Sequence, residues 1–239
     1  LRMGPNIKDW PEQPALSDDL LVKVVSYITD PVTTTDELIP SGETSSYRSN
    51  PLRLAEFALS RKDPAYVGHA KAVHAIETAR EKGEPLPQEV LAVYAALNQA
   101  GIANKPADTV IGSTIYANKP GDGSAREQAA SCQKVLGGFA NICYSYATKR
   151  YRSNCINWGI LPFTIDEGTP FDYADGDCVF VPDVRRAVEE AREDIPAKVI
   201  RKDGSVEDLM LHIRGLTQDE REIILDGCLM NYYAARIAD

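Results

Sequence analysis

A glycine-rich octapeptide between a predicted strand and a predicted helix constrains this chain more than any other stretch. It spans residues 121–128 and consists of Gly-Asp-Gly-Ser-Ala-Arg-Glu-Gln. Before it, the β-branched residues of 109–116 favour a buried strand. After it, Ala129, Cys132 and Leu136 follow the spacing of an amphipathic helix. The sequence therefore predicts a strand, a tight turn and a helix in this order.

This turn contains the groups that a carboxylate site requires. Gly121 and Gly123 permit backbone bends and the close approach of a ligand. The first amides of the following helix lack intrahelical partners and carry the positive end of the helix dipole. Arg126 adds a planar guanidinium that can bind a carboxylate through two hydrogen bonds, and Ser124 adds a hydroxyl beside it. The pattern predicts a carboxylate pocket that contains a hydroxyl.

Two other interpretations of the turn stay open. Ser124 could act only as the N-cap of the helix, with Glu127 completing a capping box three residues later. The turn could also be a nucleotide-phosphate loop. Against this second alternative, no Gly-Lys-Ser/Thr follows the turn, and its glycines do not have the dinucleotide-binding spacing.

The octapeptide resembles the Gly-x-Gly-Ser-Ser-Arg-Glu-His signature of the aconitase and isopropylmalate dehydratase superfamily. The resemblance implies an α/β fold, a swivelling β/β/α domain of the aconitase C-terminal type, with a mixed sheet flanked by helices. It implies that Ser124 is the catalytic base and that Arg126, together with Gly123 and Ala125, binds the substrate. Ala125 replaces the second serine of the signature and Gln128 replaces its histidine. We expect both differences to affect the choice of substrate more than the fold.

Three further segments resemble the same family, and they follow the family's order along the chain. Residues 33–42 are similar to the Thr-Thr-Asp-His-Ile segment that opens swivel domains, which makes Asp36 the expected active-site aspartate and substrate ligand. By its offset from Asp36, Arg48 falls at the position of a second substrate-binding arginine, although a surface-loop arginine is the alternative. The other two segments are residues 151–162 and residues 216–233, the second of which begins with a Thr-x-x-Glu capping box.

The resemblance also divides the chain. We expect residues 31–239 to form the aconitase-like swivel domain and residues 1–30 to be a lead-in segment or linker. Within the domain, residues 52–108 match the family least. Their prolines and glycines stand where helices begin and end, so we expect a mainly helical segment. The sequence begins at Leu1 rather than at a methionine, so we expect it to be a piece of a longer protein.

The remaining secondary structure is predicted from local patterns. The apolar residues of 18–27 fit a short strand or a short helix equally well. Helices are expected over residues 63–82 and 87–100, and a hairpin is expected about Asp203-Gly204.

The resemblance implies a hydro-lyase, because the family adds or removes water across adjacent carbons of a di- or tricarboxylic hydroxy acid. The family's Lewis acid is a [4Fe-4S] cluster held by three cysteines of other domains, and no such motif occurs in this sequence. We expect no cofactor in this chain itself, and two partners. These are a small carboxylate substrate and a cluster-bearing partner, either N-terminal domains of the same polypeptide or a large subunit.

Two alternatives to an enzyme remain, a non-catalytic carboxylate-binding relative and an RNA-regulatory relative. The net charge of −9, from 26 Lys and Arg against 35 Asp and Glu, argues against nucleic acid as a partner. The sequence contains no signal peptide and no apolar run of membrane-spanning length, so we expect no membrane partner.

The cysteines and histidines do not form a recognisable metal site. Five scattered cysteines without a Cys-x-x-Cys pair are typical of reduced thiols, and we expect a cytoplasmic protein. His69 and His74 are five residues apart, which places them on different faces of a helix. The sequence therefore predicts no metal ligands.

Overall fold

A computed structural model describes residues 3–174 and 176–237, and these residues form a mixed α/β fold, as predicted. The strands are β1 (Asp19–Ile28), β2 (Thr33–Thr34), β3 (Thr109–Ala117), β4 (Pro120–Asp122), β5 (Gly138–Cys143), β6 (Leu161–Thr164), β7 (Cys178–Val181), β8 (Asp194–Ile200) and β9 (Val206–His212). The α-helices are α1 (Thr35–Leu38), α2 (Ser41–Thr44), α3 (Pro51–Ala55), α4 (Tyr66–Glu81), α5 (Gln88–Gln99), α6 (Arg126–Val135), α7 (Lys149–Asn157), α8 (Val184–Glu189), α9 (Gln218–Asp226) and α10 (Leu229–Ile237).

Seven strands form a closed barrel in the order β1-β3-β5-β6-β9-β8-β7. Strands β1, β3, β5 and β6 run parallel to one another, and the pairs that involve β7, β8 or β9 are antiparallel. The barrel closes between β6 and β9 through one residue pair, Thr164 and His212. The mixed sheet is as predicted, whereas its closure into a barrel is a feature that the sequence patterns did not predict.

Strand β1 lies inside residues 1–30, the segment predicted as a lead-in or linker. Leu20 and Val22 belong to an apolar cluster that draws on all seven barrel strands. Leu21 and Val25 belong to a second cluster, which includes residues of α3 to α6. This alternation is the period of a strand, and it explains why the apolar run forms a strand rather than a helix. The barrel thus includes a strand that precedes the predicted domain boundary.

Helices α4 and α5 and all of α3 except its first residue lie in the segment 52–108, and buried residues from all three helices belong to the second apolar cluster. Glu77 of α4 is only 3% exposed. Its carboxylate accepts a hydrogen bond from the Ile111 amide at 2.9 Å and forms an ion pair with Arg80 at 2.7 Å. Because these contacts join α4 to β3, they hold the helices against the barrel.

The C-terminal part of the chain contains the capping box and the hairpin that its sequence predicts. The Thr217 hydroxyl accepts a hydrogen bond from the Glu220 amide, and the Glu220 carboxylate accepts one from the Thr217 amide, so the predicted capping box is present. Strands β8 and β9 form the hairpin expected about Asp203-Gly204. No helix in the part of the chain that the structure describes is long and apolar enough to cross a membrane.

Candidate functional site

The turn between β4 and α6 requires its glycines for steric reasons. Gly121 and Gly123 have φ angles of +101° and +134°, in a region that side chains disfavour. A Cβ atom at Gly121 would lie 2.2 Å from the ring of Tyr151, and one at Gly123 would lie 2.2 Å from Thr35 Oγ1. The turn therefore packs directly against both α7 and α1.

The short pair of β2 and β4 brings two distant segments of the chain together. Thr33 pairs with Pro120 and Thr34 with Asp122 in parallel register. Helix α1 begins immediately after Thr34, whose hydroxyl accepts a hydrogen bond from the Glu37 amide in a capping box. The segment that carries Asp36 thus lies beside the turn that carries Ser124.

The structure does not form the capping box at Ser124. The N-cap residue of α6 is Ala125, and no side chain caps this helix. The Glu127 carboxylate accepts a hydrogen bond from Trp158 Nε1 at 3.1 Å instead. Ser124 is exposed, so its hydroxyl is accessible at the N-terminal end of α6.

Arg126 is the first residue of α6, and its guanidinium has no partner among the described residues. Its Nε atom is buried and donates no hydrogen bond, and the structure shows no ion pair between Arg126 and the residues that it describes. Buried polar groups are nearly always hydrogen-bonded, so an unpaired guanidinium at this depth calls for an acceptor from outside the described residues. The uncapped amides of the first turn and the helix dipole favour an anion at the same place.

Asp36 is half exposed and has partners of its own. Its carboxylate accepts hydrogen bonds from the Ser41 amide and hydroxyl, at 3.2 and 3.3 Å, and lies 3.4 Å from Arg61. Arg61 also pairs with Glu43 at 2.6 Å, and this hydrogen bond, with the charges of Glu43 and Asp36, raises the pKa of Arg61 above its ordinary value. Sequence reasoning missed Arg61, because no motif or spacing relates it to Asp36.

Arg48 lies in the loop between α2 and α3. Its side chain is exposed, and the structure shows no hydrogen bond or ion pair from Arg48 to another residue within 3–174 and 176–237. The loop is fixed by a hydrogen bond from the Lys8 amide to the Ser49 carbonyl at 3.0 Å, and Asn50 caps α3, which packs against α6. The fold thus connects the Arg48 loop to α6 through α3, but it shows no contact of Arg48 with Ser124.

The turn lies in a part of the chain that matches a known family. The aconitase C-terminal domain family matches residues 95–168, a stretch that runs from the end of α5 to the residues after β6 and contains the entire turn. The stretch of the chain that carries the turn is therefore similar to the C-terminal domain of aconitases.

Two aconitate hydratases are also similar to this chain. Aconitate hydratase A of Bradyrhizobium diazoefficiens is 31% identical over 120 residues, which are 49% of this chain and 13% of that protein. Aconitate hydratase A of Legionella pneumophila is 26% identical over 228 residues, which are 86% of this chain and 24% of that protein. The chain therefore spans a quarter or less of the length of these aconitate hydratases.

The crystal structure of a 3-isopropylmalate dehydratase from Methanocaldococcus jannaschii has the same fold. The two structures superpose with a TM-score of 0.53 over 92% of this chain and 96% of that chain, at 21% identity. At this identity the likeness concerns the fold alone. It covers nearly the whole of both chains.

The cysteines of this domain do not fit an iron–sulfur cluster. All five are free and buried, and burial raises the pKa of the Cys155 and Cys178 thiols to about 12 and that of Cys132 and Cys143 further. Cluster ligation needs thiolates that lie together. Within the described ranges, no three His, Cys, Asp or Glu side chains are arranged to hold a metal ion.

Proposed function

We propose that this chain is the C-terminal swivel domain of an aconitase-like hydro-lyase that acts on a di- or tricarboxylic hydroxy acid. The observation that supports it most is the unpaired, partly buried guanidinium of Arg126 beside the exposed hydroxyl of Ser124, at the uncapped start of α6. The family that the turn matches gives this arrangement its chemical context.

In this proposal Arg126 binds a substrate carboxylate. A guanidinium can donate two parallel hydrogen bonds to a carboxylate, and such charge-assisted pairs are the stronger hydrogen bonds in proteins. The uncapped amides of α6 add further donors at the same end of the helix. Arg48 is proposed to bind a second carboxylate, because its exposed side chain is on a loop whose following helix packs against α6.

Ser124 is proposed to be the base that takes a proton from the carbon next to a substrate carboxylate. A serine hydroxyl is normally too weak an acid for this role, so its alkoxide must be stabilised. The positive end of the α6 dipole favours the negative charge by about 0.3–1 kcal/mol at an exposed position such as Ser124, and the positive charge of the Arg126 guanidinium favours it further. Gly123 and Ala125 place no side-chain bulk between Ser124 and the substrate.

The proposed dehydration removes a proton and a hydroxide from adjacent carbons of the substrate. The C–H proton passes to the Ser124 oxygen, the electron pair of that bond forms a carbon–carbon double bond, and hydroxide leaves from the adjacent carbon. Hydration is the reverse. The departing hydroxide needs a Lewis acid, which the described residues do not supply, and we propose that the iron–sulfur cluster of the family resides in partner domains or a large subunit.

Asp36 is proposed to contact the substrate or a group of the partner domain from the segment beside the turn. Its carboxylate remains half exposed even though Ser41 and Arg61 bind it, so one side of it is free to accept a further hydrogen bond. Arg61 lies within ion-pair distance of both Asp36 and Glu43, and because all three side chains are more than half exposed, these pairs are weak.

The proposal is tested on the full-length protein, or the complex with its partner subunit, purified without oxygen. Hydration of aconitate and dehydration of citrate, isocitrate and isopropylmalate would be followed for the wild type, Arg126→Lys and Ser153→Ala. Ser153 is an exposed serine of α7 and serves as the control for substitution as such.

We expect turnover of at least one substrate by the wild type and by Ser153→Ala. For Arg126→Lys we expect a KM about 10–100-fold higher, because a lysine cannot make the bidentate contact. Carboxylate binding without any turnover would instead support the non-catalytic relative. An unchanged KM in Arg126→Lys would refute the role of Arg126.

A further inference from the structure

A cavity of about 300 Å³ lies between the helical segment and the barrel, away from the Ser124 turn. Helices α4 and α5 form one wall, and β1, β3, β7 and the β8–β9 turn form the other. Its inner surface is apolar, with Val73, Val93 and Ile200 among the lining residues. It is about twice the volume of an apolar cavity of roughly 150 Å³ that binds benzene. The space is therefore large enough for a small organic ligand.

The cavity also has a charged rim. Lys23, Arg201 and Lys202 line it together with one carboxylate, Glu89. The rim thus carries more positive than negative side chains, although the chain as a whole has a net charge of −9. Small-molecule sites typically combine such an apolar interior with a few polar groups that fix orientation.

The three positively charged side chains of the rim differ in whether a carboxylate already neutralises their charge. Arg201 binds Glu207 at 2.6 Å and Asp172 at 3.1 Å, so its charge is already paired. Lys23 and Glu89 are 3.5 Å apart with side chains 31% and 59% exposed, and an exposed pair of this kind is weak. Lys23 can therefore exchange Glu89 for a ligand at little cost.

Lys202 is the rim cation that is most available to a ligand. It is exposed, and its Nζ lies beside Gly176, since a Cβ atom at Gly176 would be 2.9 Å from it. The structure shows no ion pair between Lys202 and any residue of the described ranges. Cys178, at the barrel side of the cavity, is a buried neutral thiol and adds no charge that would repel an anion.

We propose that this cavity binds a monocarboxylate with an apolar tail of roughly 6–10 carbon atoms, a size suited to the lower end of the range of small-molecule sites. The tail packs among Val73, Val93 and Ile200, and the carboxylate lies at the rim between Lys202 and Lys23. The site shares no lining residue with the Ser124 turn, so it is a second site and not part of the proposed hydro-lyase chemistry.

The proposal is tested by isothermal titration of the purified protein with octanoate, and with octan-1-ol as the uncharged probe of the same length. Val93→Trp fills the cavity, and Leu91→Trp places the same side chain at an exposed position of α5 outside it. Lys202→Glu reverses the charge at the rim, and Lys82→Glu makes the same change in net charge at an exposed position outside the lining.

We expect octanoate to bind the wild type, Leu91→Trp and Lys82→Glu with similar affinity. Val93→Trp should abolish the binding, and Lys202→Glu should weaken it about tenfold or more while it leaves octan-1-ol unaffected. Because Lys202 is exposed, its variant remains informative even if Val93→Trp fails to fold. No binding of octanoate, binding that Val93→Trp leaves unchanged, or equal effects of Lys202→Glu on acid and alcohol would each overturn the proposal.

Discussion

The packing of Gly123 against Thr35 allows a quantitative prediction for the substitution Gly123→Ala. A φ of +134° is unfavourable for alanine and costs about 1–3 kcal/mol. The new Cβ atom would also lie 2.2 Å from Thr35 Oγ1, and overpacking of this kind costs about 1–3 kcal/mol more. We therefore expect the free energy of unfolding to fall by about 2–6 kcal/mol.

A double-mutant cycle separates the two contributions. Thr35→Ala removes Oγ1, and the next atom, Thr35 Cβ, is 3.4 Å from the position that the alanine Cβ would take, an ordinary contact distance. Gly123→Ala should thus be less harmful in the Thr35→Ala background by about 1–3 kcal/mol, while the backbone cost persists.

Urea unfolding followed by circular dichroism measures both free energies, with Gly68→Ala as the control. Gly68 lies inside α4 with open space around its Cα, so alanine there should stabilise the protein by about 0.5–1 kcal/mol. The reasoning is refuted if Gly123→Ala changes stability by less than about 0.5 kcal/mol, or if Thr35→Ala recovers none of the loss.

Two further predictions concern buried charges. Glu77→Gln leaves Arg80 without its buried partner and should lower the free energy of unfolding, measured in urea, by about 3 kcal/mol. The control Glu81→Gln, on the exposed side of α4, should change this free energy by less than about 0.5 kcal/mol. Equal effects of the two substitutions would contradict a stabilising role of the Glu77–Arg80 ion pair. Burial lowers the pKa of Lys134 to about 7, so between pH 7 and 10 the unfolded chain binds a proton that the folded chain does not. The free energy of unfolding of the wild type should therefore rise over this range relative to that of Lys134→Met, by about 1.4 kcal/mol per pH unit, and a constant difference between urea titrations at pH 7.5 and 9.5 would contradict this.

The local parts of the fold were predictable because their sequence patterns admit one structure. The β-branched run of 109–116 became β3, which is buried along its whole length, and the helical spacing after the turn became α6. The run that became β1 was ambiguous, since consecutive apolar residues satisfy the period of a strand and of a helix alike. Only its two packing partners, the barrel interior and the helices, decide between them.

The closure of the barrel and the partners of the site could not be read from the sequence. Closure depends on one pair, Thr164 with His212, and no local pattern marks a contact between such distant residues. Arg61 reaches Asp36 only because α3 and the residues after it fold back beside α1. Such contacts are properties of the tertiary fold.

The Ser-x-x-Glu pattern at Ser124 matches a capping box that the structure does not form. A capping box requires Ser124 at the N-cap and Glu127 at the third helical position. The helix begins one residue later, with Ala125 at the N-cap, so the third helical position belongs to Gln128. The competing contact of Glu127 with Trp158 accounts for the different use of its carboxylate. Ser124 therefore does not have the capping role that was one of the two alternatives to a functional hydroxyl.

The most direct test of the central claim is the effect of Ser124→Ala on kcat and on substrate affinity in the complete, cluster-containing protein. If Ser124 is the base, kcat should fall roughly 10²–10⁴-fold, while the dissociation constant of the substrate, measured by titration, should change less than about threefold because Arg126 is intact. Turnover by Ser124→Ala at the wild-type rate would contradict the assignment of the base. A loss of affinity that matches the loss of rate would show that Ser124 only binds substrate.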